Sequence, residues 1–203
     1  GVGKTALALA AAASLAPSEL AVGGTWLVRL ESAGSGSEVV DAAMAALDVS
    51  GGSSSLFERL KGDPKLVVVD NCEHVVDAAA DLIARMLDAA PGVRVLATTQ
   101  LPLGLDGGVE LDVEPLDLDE AVDLFRVRAA RQRRGAEEGA ADLLRDLCRS
   151  LDGLPLAIEL AAARTRTLSV EQIAKRIDDR FVVLNDPTSR RPERRRALKA
   201  TIR

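Results

Sequence analysis

An α/β fold with a parallel sheet covered by helices, leading into a small all-helical domain, is predicted by three features of the sequence. KLVVVD (residues 65–70) is a continuous β-branched run, the pattern of a strand buried on both faces, and VRVLATT (residues 93–99) reads as a second buried strand. Between them HVVDAAADLIARMLDAA carries apolar residues at helical spacing and stops at Pro91-Gly92, so strand and helix follow one another at the rhythm of a parallel sheet. Beyond Pro115 the strand-like runs end and only helical patterns remain.

Taken in order, the chain opens GVGKT and enters KTALALAAAASLA, a helix stopped by Pro17. GTWLVRL reads as a short strand, EVVDAAMAAL as a helix and GGSSS as a flexible connection. VELDV, residues 109–113, is expected to add one more strand after VRVLATT. Asp117 with Glu120 forms a capping-box pattern, and Leu118, Ala121, Val122, Phe125 and Ala129 line one helical face. A further helix runs to about Leu151, another starts at Pro155, and a last one follows Ser169, where Gln172 completes a second capping-box pattern. These elements place an α/β domain at residues 1–116, a helical domain at 117–188 and a basic segment at 189–203.

Composition narrows the class. The hydrophobic content of 47% with 28% charged residues suits a globular chain, and one Trp, three Phe and no Tyr leave the core to Leu, Val, Ile and Ala. Two Cys and one His supply neither a disulfide framework nor a His-based zinc site, which points to a reducing cytoplasm. The Ala-rich run from Ala6 is too short to span a bilayer, so no membrane partner is expected. The net charge of −5 is uneven: the last fourteen residues, from Arg190, hold seven of the 26 basic and one of the 31 acidic residues, which leaves −11 on the rest. The body repels nucleic acid, and the tail RRPERRRALKATIR suits either a nucleic-acid contact or the first helix of a following domain.

The chemistry concentrates at two places. Gly1, Gly3, Lys4 and Thr5 match the second half of a phosphate-binding loop, GxxxxGK[ST], and run directly into a helix whose N-terminal N–H groups attract anions. In that arrangement Gly1, Val2, Gly3, Lys4, Thr5 and Ala6 face the phosphates, Lys4 reaching the outer ones and Thr5 ligating Mg²⁺. Asp70 closes a buried strand, where such a loop needs a carboxylate for the metal. Cys72 and His74 beside it read as a small buried apolar group and a capping or packing residue.

GVGKT, LVVVDNCEHV, VRVLATT and LDGLPLAIELAAAR, in this order, resemble the P-loop ATPase of the STAND class, the NB-ARC-like proteins, with wording similar to bacterial transcriptional regulators of the LuxR and SARP types. The resemblance covers essentially the whole chain, and GLPLA is its most specific word. It implies ATP or ADP with Mg²⁺ bound between the α/β and helical domains, with Gly153, Leu154 and Pro155 where the helical domain meets the nucleotide. Gly153 and Pro155 equally suit plain helix punctuation. The resemblance also implies a winged-helix-like domain beginning in the basic tail, which leaves DNA contact outside this segment, other regulator domains as partners, and self-association in the active state.

Two positions depart from the family pattern. Asn71 follows Asp70 where many relatives carry a second acid, and an amide orients water without taking its proton. Glu73 is the nearest carboxylate. Gln100 stands where a phosphate-sensing Arg is usual, offering a hydrogen bond without full charge. The resemblance therefore implies a nucleotide-controlled switch with slow or no hydrolysis; a turnover P-loop ATPase or kinase, and an interaction module without nucleotide, are the alternatives. Because GVGKT stands at the first residue, the segment is also expected to be cut from a longer regulator, without the strand before the loop, and so to be weakly stable and a poor ATP binder by itself.

Overall fold

The computed structural model describes residues 1–131 and 141–184. The basic segment 189–203 lies outside the described residues. The chain divides into two compact units, one of Lys4–Asp112 and one that joins Gly1–Gly3 to the chain from Val113 onward.

The first unit is a three-stranded parallel sheet in the order β1 (Thr25–Arg29), β2 (Lys65–Asp70), β3 (Val93–Ala97). Register runs from Thr25 opposite Leu66 to Arg29 opposite Asp70, and from Lys65 opposite Val93 to Val69 opposite Ala97. All six residues of β2 are buried, as its unbroken apolar run requires of a central strand. Its side chains alternate between two cores. Val67 and Val69 pack with Val39, Ala43, Leu56, Leu82, Ile83 and Met86, which come from α2 (Gly36–Ala46), α3 (Ser53–Leu60) and α4 (Val76–Ala89). Leu66 and Val68 face Ala8 and Ala12 of α1 (Lys4–Leu15). Small alanines on that stripe let the helix lie close to the sheet.

Two expectations fail here. GGSSS is not only a flexible connection, because Ser53 to Ser55 form the first turn of α3. Serine is a middling helix former, and the burial of Leu56 and Leu60, one turn apart, outweighs it. VELDV is not a strand: residues 109–113 have no regular structure, with Val109 96% and Leu111 78% exposed. Its alternation is real, but a strand exists only through ladder partners, and among the described residues the sheet consists of β1, β2 and β3.

The second unit is helical: α5 (Leu118–Ala130), α6 (Ala141–Ser150), α7 (Pro155–Arg164) and α8 (Val170–Leu184). Ala121, Val122, Phe125, Leu144, Leu147, Ile158, Ala162 and Ile173 form its core. Asp117 and Glu120 make the reciprocal capping box of α5. Ser169 and Gln172 exchange the same two bonds at α8, at 3.3 and 3.1 Å. Among the described residues no helix is long and apolar enough to cross a membrane.

Candidate functional site

Parallel strands deliver their C-terminal ends to one edge of a sheet, the usual place for ligands in open α/β folds. Asp70 ends β2 there and is 4% exposed. Its Oδ1 accepts two hydroxyl hydrogen bonds, from Thr5 Oγ1 at 2.7 Å and from Thr98 Oγ1 at 2.5 Å. Thr5 stands in the first turn of α1, so the bond joins a helix N-terminus to a strand end across 65 residues of sequence. A hydroxyl that donates to a carboxylate keeps its lone pairs, so both groups remain able to ligate one cation.

Thr98 escaped the sequence reading, yet it organises this corner. Its hydroxyl also accepts the Asn71 N–H at 3.1 Å, its carbonyl accepts the Cys72 N–H at 3.0 Å, and its own N–H donates to Val69 O at 2.9 Å. The signal lay in the strand ends: with Val69 opposite Ala97, the residue after each places Thr98 opposite Asp70. Asn71 has φ 64° and ψ 50°, left-handed backbone that Asn tolerates better than most residues. A backbone requirement thus accounts for an amide at this position.

Glu73, in the short 3-10 turn Cys72–His74, accepts a 2.7 Å hydrogen bond from Gln100 Nε2 in the loop after β3. The two residues singled out separately, as candidate base and candidate phosphate donor, therefore engage each other. Cys72 is fully buried, and burial first, then the Glu73 and Asp70 carboxylates, push its thiol up to about 12. No thiolate chemistry is available there at neutral pH. His74 is exposed at the end of the same turn.

Lys4 begins α1 and among the described residues has no ion-pair or hydrogen-bond partner. Ala6 is exposed in the first turn. Gly1, Val2 and Gly3 group with the helical unit, where Gly1 O accepts the Leu156 N–H at 3.4 Å and Gly3 adopts φ 95°. Gly153 has φ 63°, and a Cβ built on it would stand 2.2 Å from Leu116 O, while Leu116 N–H donates to Gly153 O at 2.9 Å. Pro155 occupies the first turn of α7, and Leu154 packs against the helical core. GLPLA therefore has a packing reason for its glycine, and its proline takes a position that suits the start of a helix.

The donor set offers a cation one carboxylate and one hydroxyl oxygen. Among the described residues no three His, Cys, Asp or Glu side chains gather into a metal cage. Mg²⁺ does not need one, since it typically takes one or two protein oxygens and completes its shell with phosphates and water. Thr5 and Asp70 bring two such oxygens within 2.7 Å of each other.

No family model matches the chain. Over its whole length it is 39% identical to proteins of Mycobacterium bovis and Mycobacterium tuberculosis provisionally named HTH-type transcriptional regulators, of which the alignment covers 23%. Over 57% of its length it is 44% identical to an uncharacterised Mycobacterium tuberculosis protein, of which 30% is covered. The chain thus spans about a quarter of the length of the regulators it matches.

Proposed function

We propose that this chain is the nucleotide-responsive segment of an HTH-type transcriptional regulator of the NB-ARC-like STAND class, binding ADP or ATP with Mg²⁺ and hydrolysing it slowly or not at all. The observation that carries the reading is the 2.7 Å bond between Thr5 and Asp70, which joins the end of a GKT loop to the acid of a buried strand at the ligand-binding edge of a parallel sheet. Either motif alone is common; their meeting on one carboxylate oxygen is the arrangement that Mg-nucleotide binding needs.

Within it, Lys4 supplies a cation to the phosphates, the first turn of α1 offers backbone N–H groups, and Thr5 with Asp70 orients the metal. The bound Mg-nucleotide supplies the charge that these groups are arranged to answer. Thr98 donates to the same carboxylate oxygen of Asp70 as Thr5 does. The residue that follows Asp70 is an amide, Asn71, which takes no proton, and the nearest carboxylate, Glu73, is three positions on and engaged by Gln100. That favours a switch over a turnover enzyme, and a switch needs nucleotide affinity that differs between its states. Asn71 and Gln100, neither of which carries the charge usual at its position, also favour the other reading, an interaction module that binds no nucleotide.

As part of such a regulator the segment works in the cytoplasm, its partners are the nucleotide and the protein's other domains, with self-association in the active state, and DNA contact belongs elsewhere in the protein. Titration calorimetry with Mg-ADP and Mg-ATP tests the reading. Lys4→Ala removes a charge-assisted contact of about 1.5–3 kcal/mol and should weaken binding at least about tenfold. Equal affinity of variant and parent would refute the phosphate-loop assignment, and a folded parent that binds neither nucleotide would leave the interaction module.

A further inference from the structure

We propose that Glu73 and Gln100 form a specificity pair which disfavours a third phosphate, so that the bound form is set toward the nucleoside diphosphate. This rests on the nucleotide reading above and concerns a property that reading leaves open.

Gln100 Nε2 donates to Glu73 Oε1 at 2.7 Å, joining the loop after β3 to the turn after β2. The pair stands on a fixed support. The same two loops are tied by the Cys72 N–H to Thr98 O bond at 3.0 Å and by the Asn71 N–H to Thr98 Oγ1 bond at 3.1 Å. Two side chains free in solvent would lose this geometry to rotamer entropy; two on coupled loops hold it at smaller cost.

Charge gives the pair its consequence. Asp70 takes its hydrogen bonds from two hydroxyls and Glu73 takes its bond from an amide, all neutral donors. Neither carboxylate belongs to any salt bridge among the described residues. Two carboxylates three positions apart thus lie at the C-terminal edge of the sheet, Asp70 at the end of β2 and Glu73 in the turn that follows it. Mg²⁺ at Asp70 answers one of them. An additional phosphate charge at this edge meets the other, while one of the two amide hydrogens that would have received it is already on Glu73.

Calorimetry of the protein with Mg-ADP and Mg-ATP, repeated at low and high salt, reads the effect as the ratio of the two dissociation constants. The parent should prefer ADP. Glu73→Gln removes the charge while keeping a hydrogen-bonding side chain, and should tighten ATP about fivefold with ADP unchanged, a gain that added salt narrows. Gln100→Leu frees the carboxylate to turn into solvent and should shift the ratio in the same direction by less. Both positions are at the surface or half-buried, and unchanged melting checks that each variant folds. Binding with the same ATP-to-ADP ratio in parent and Glu73→Gln overturns the pair and leaves the nucleotide reading standing. A folded parent that binds neither nucleotide overturns both.

Discussion

At the scale of single residues, Asp70 depends on its two hydroxyl donors. A carboxylate that is 4% exposed has lost most of its water, and each hydrogen bond to a charged group is worth about 1.5–3 kcal/mol. Thr98→Val keeps the shape of the side chain and deletes the 2.5 Å bond, together with the acceptor of the Asn71 N–H. Urea unfolding should show a loss of about 2 kcal/mol, equivalent to roughly 4–8 °C in Tm for a chain of this size. Thr98→Ser should restore most of it. Equal stability of the Val and Ser variants would show that the hydroxyl does not hold Asp70. Thr5 and Asp70 were legible in the sequence because each belongs to a local pattern: a GKT before a helix, an acid after four apolar residues. Thr98 was not, because its role follows from strand register, which no local pattern states. The bond between Glu73 and Gln100 was hidden for the same reason, since 27 residues separate them.

At the scale of elements, local chemistry read true where an element is decided locally, and failed where tertiary partners decide. Both capping boxes, at Asp117 and Ser169, are self-contained exchanges of two hydrogen bonds, and both form. α3 was missed because its serines are weak helix formers and its two leucines find a core that only the fold supplies. VELDV was overread because period-two alternation describes a surface and not a pairing. The turn between α6 and α7 combines both kinds of cause. Gly153 N–H returns to Cys148 O at 3.5 Å to close α6, in left-handed backbone, and its missing side chain admits Leu116 O. Gly153→Ala would place a methyl 2.2 Å from that oxygen and add left-handed strain, so the turn must shift. The expected cost is about 2–4 kcal/mol, read as loss of helical circular dichroism at lower denaturant. Asp152→Gly should be neutral or stabilising, since Asp152 also has positive φ. A Gly153→Ala variant as stable as the parent would remove the packing account of GLPLA.

At the scale of the whole molecule, the two units bury separate hydrophobic cores, and the single Trp reports on one of them. Trp26 lies on β1 of the Lys4–Asp112 unit, packed against the core beneath α2 to α4 with the Arg59 guanidinium 5.4 Å from its ring centre. Its emission should therefore follow unfolding of the sheet, while far-ultraviolet circular dichroism weighs the helices of both units. The proposed metal ligands, Thr5 and Asp70, belong to the same unit as Trp26. A ligand that binds only the folded state stabilises it by RT ln(1 + [L]/Kd), about 2.7 kcal/mol at a hundredfold excess over Kd. Mg-ADP at that excess should move the fluorescence-detected transition to higher denaturant by this amount. Lys4→Ala, tested at the same ADP concentration, should lose about half of the shift, because a tenfold weaker Kd leaves only a tenfold excess. Removal of Mg²⁺ with a chelator should reduce the shift in the parent and in Lys4→Ala alike, since Thr5 and Asp70 are intact in both. A Trp26 transition that does not respond to saturating Mg-nucleotide, in a protein that calorimetry shows to bind it, would place the ligand away from the Thr5 and Asp70 corner and would require another site for the phosphates.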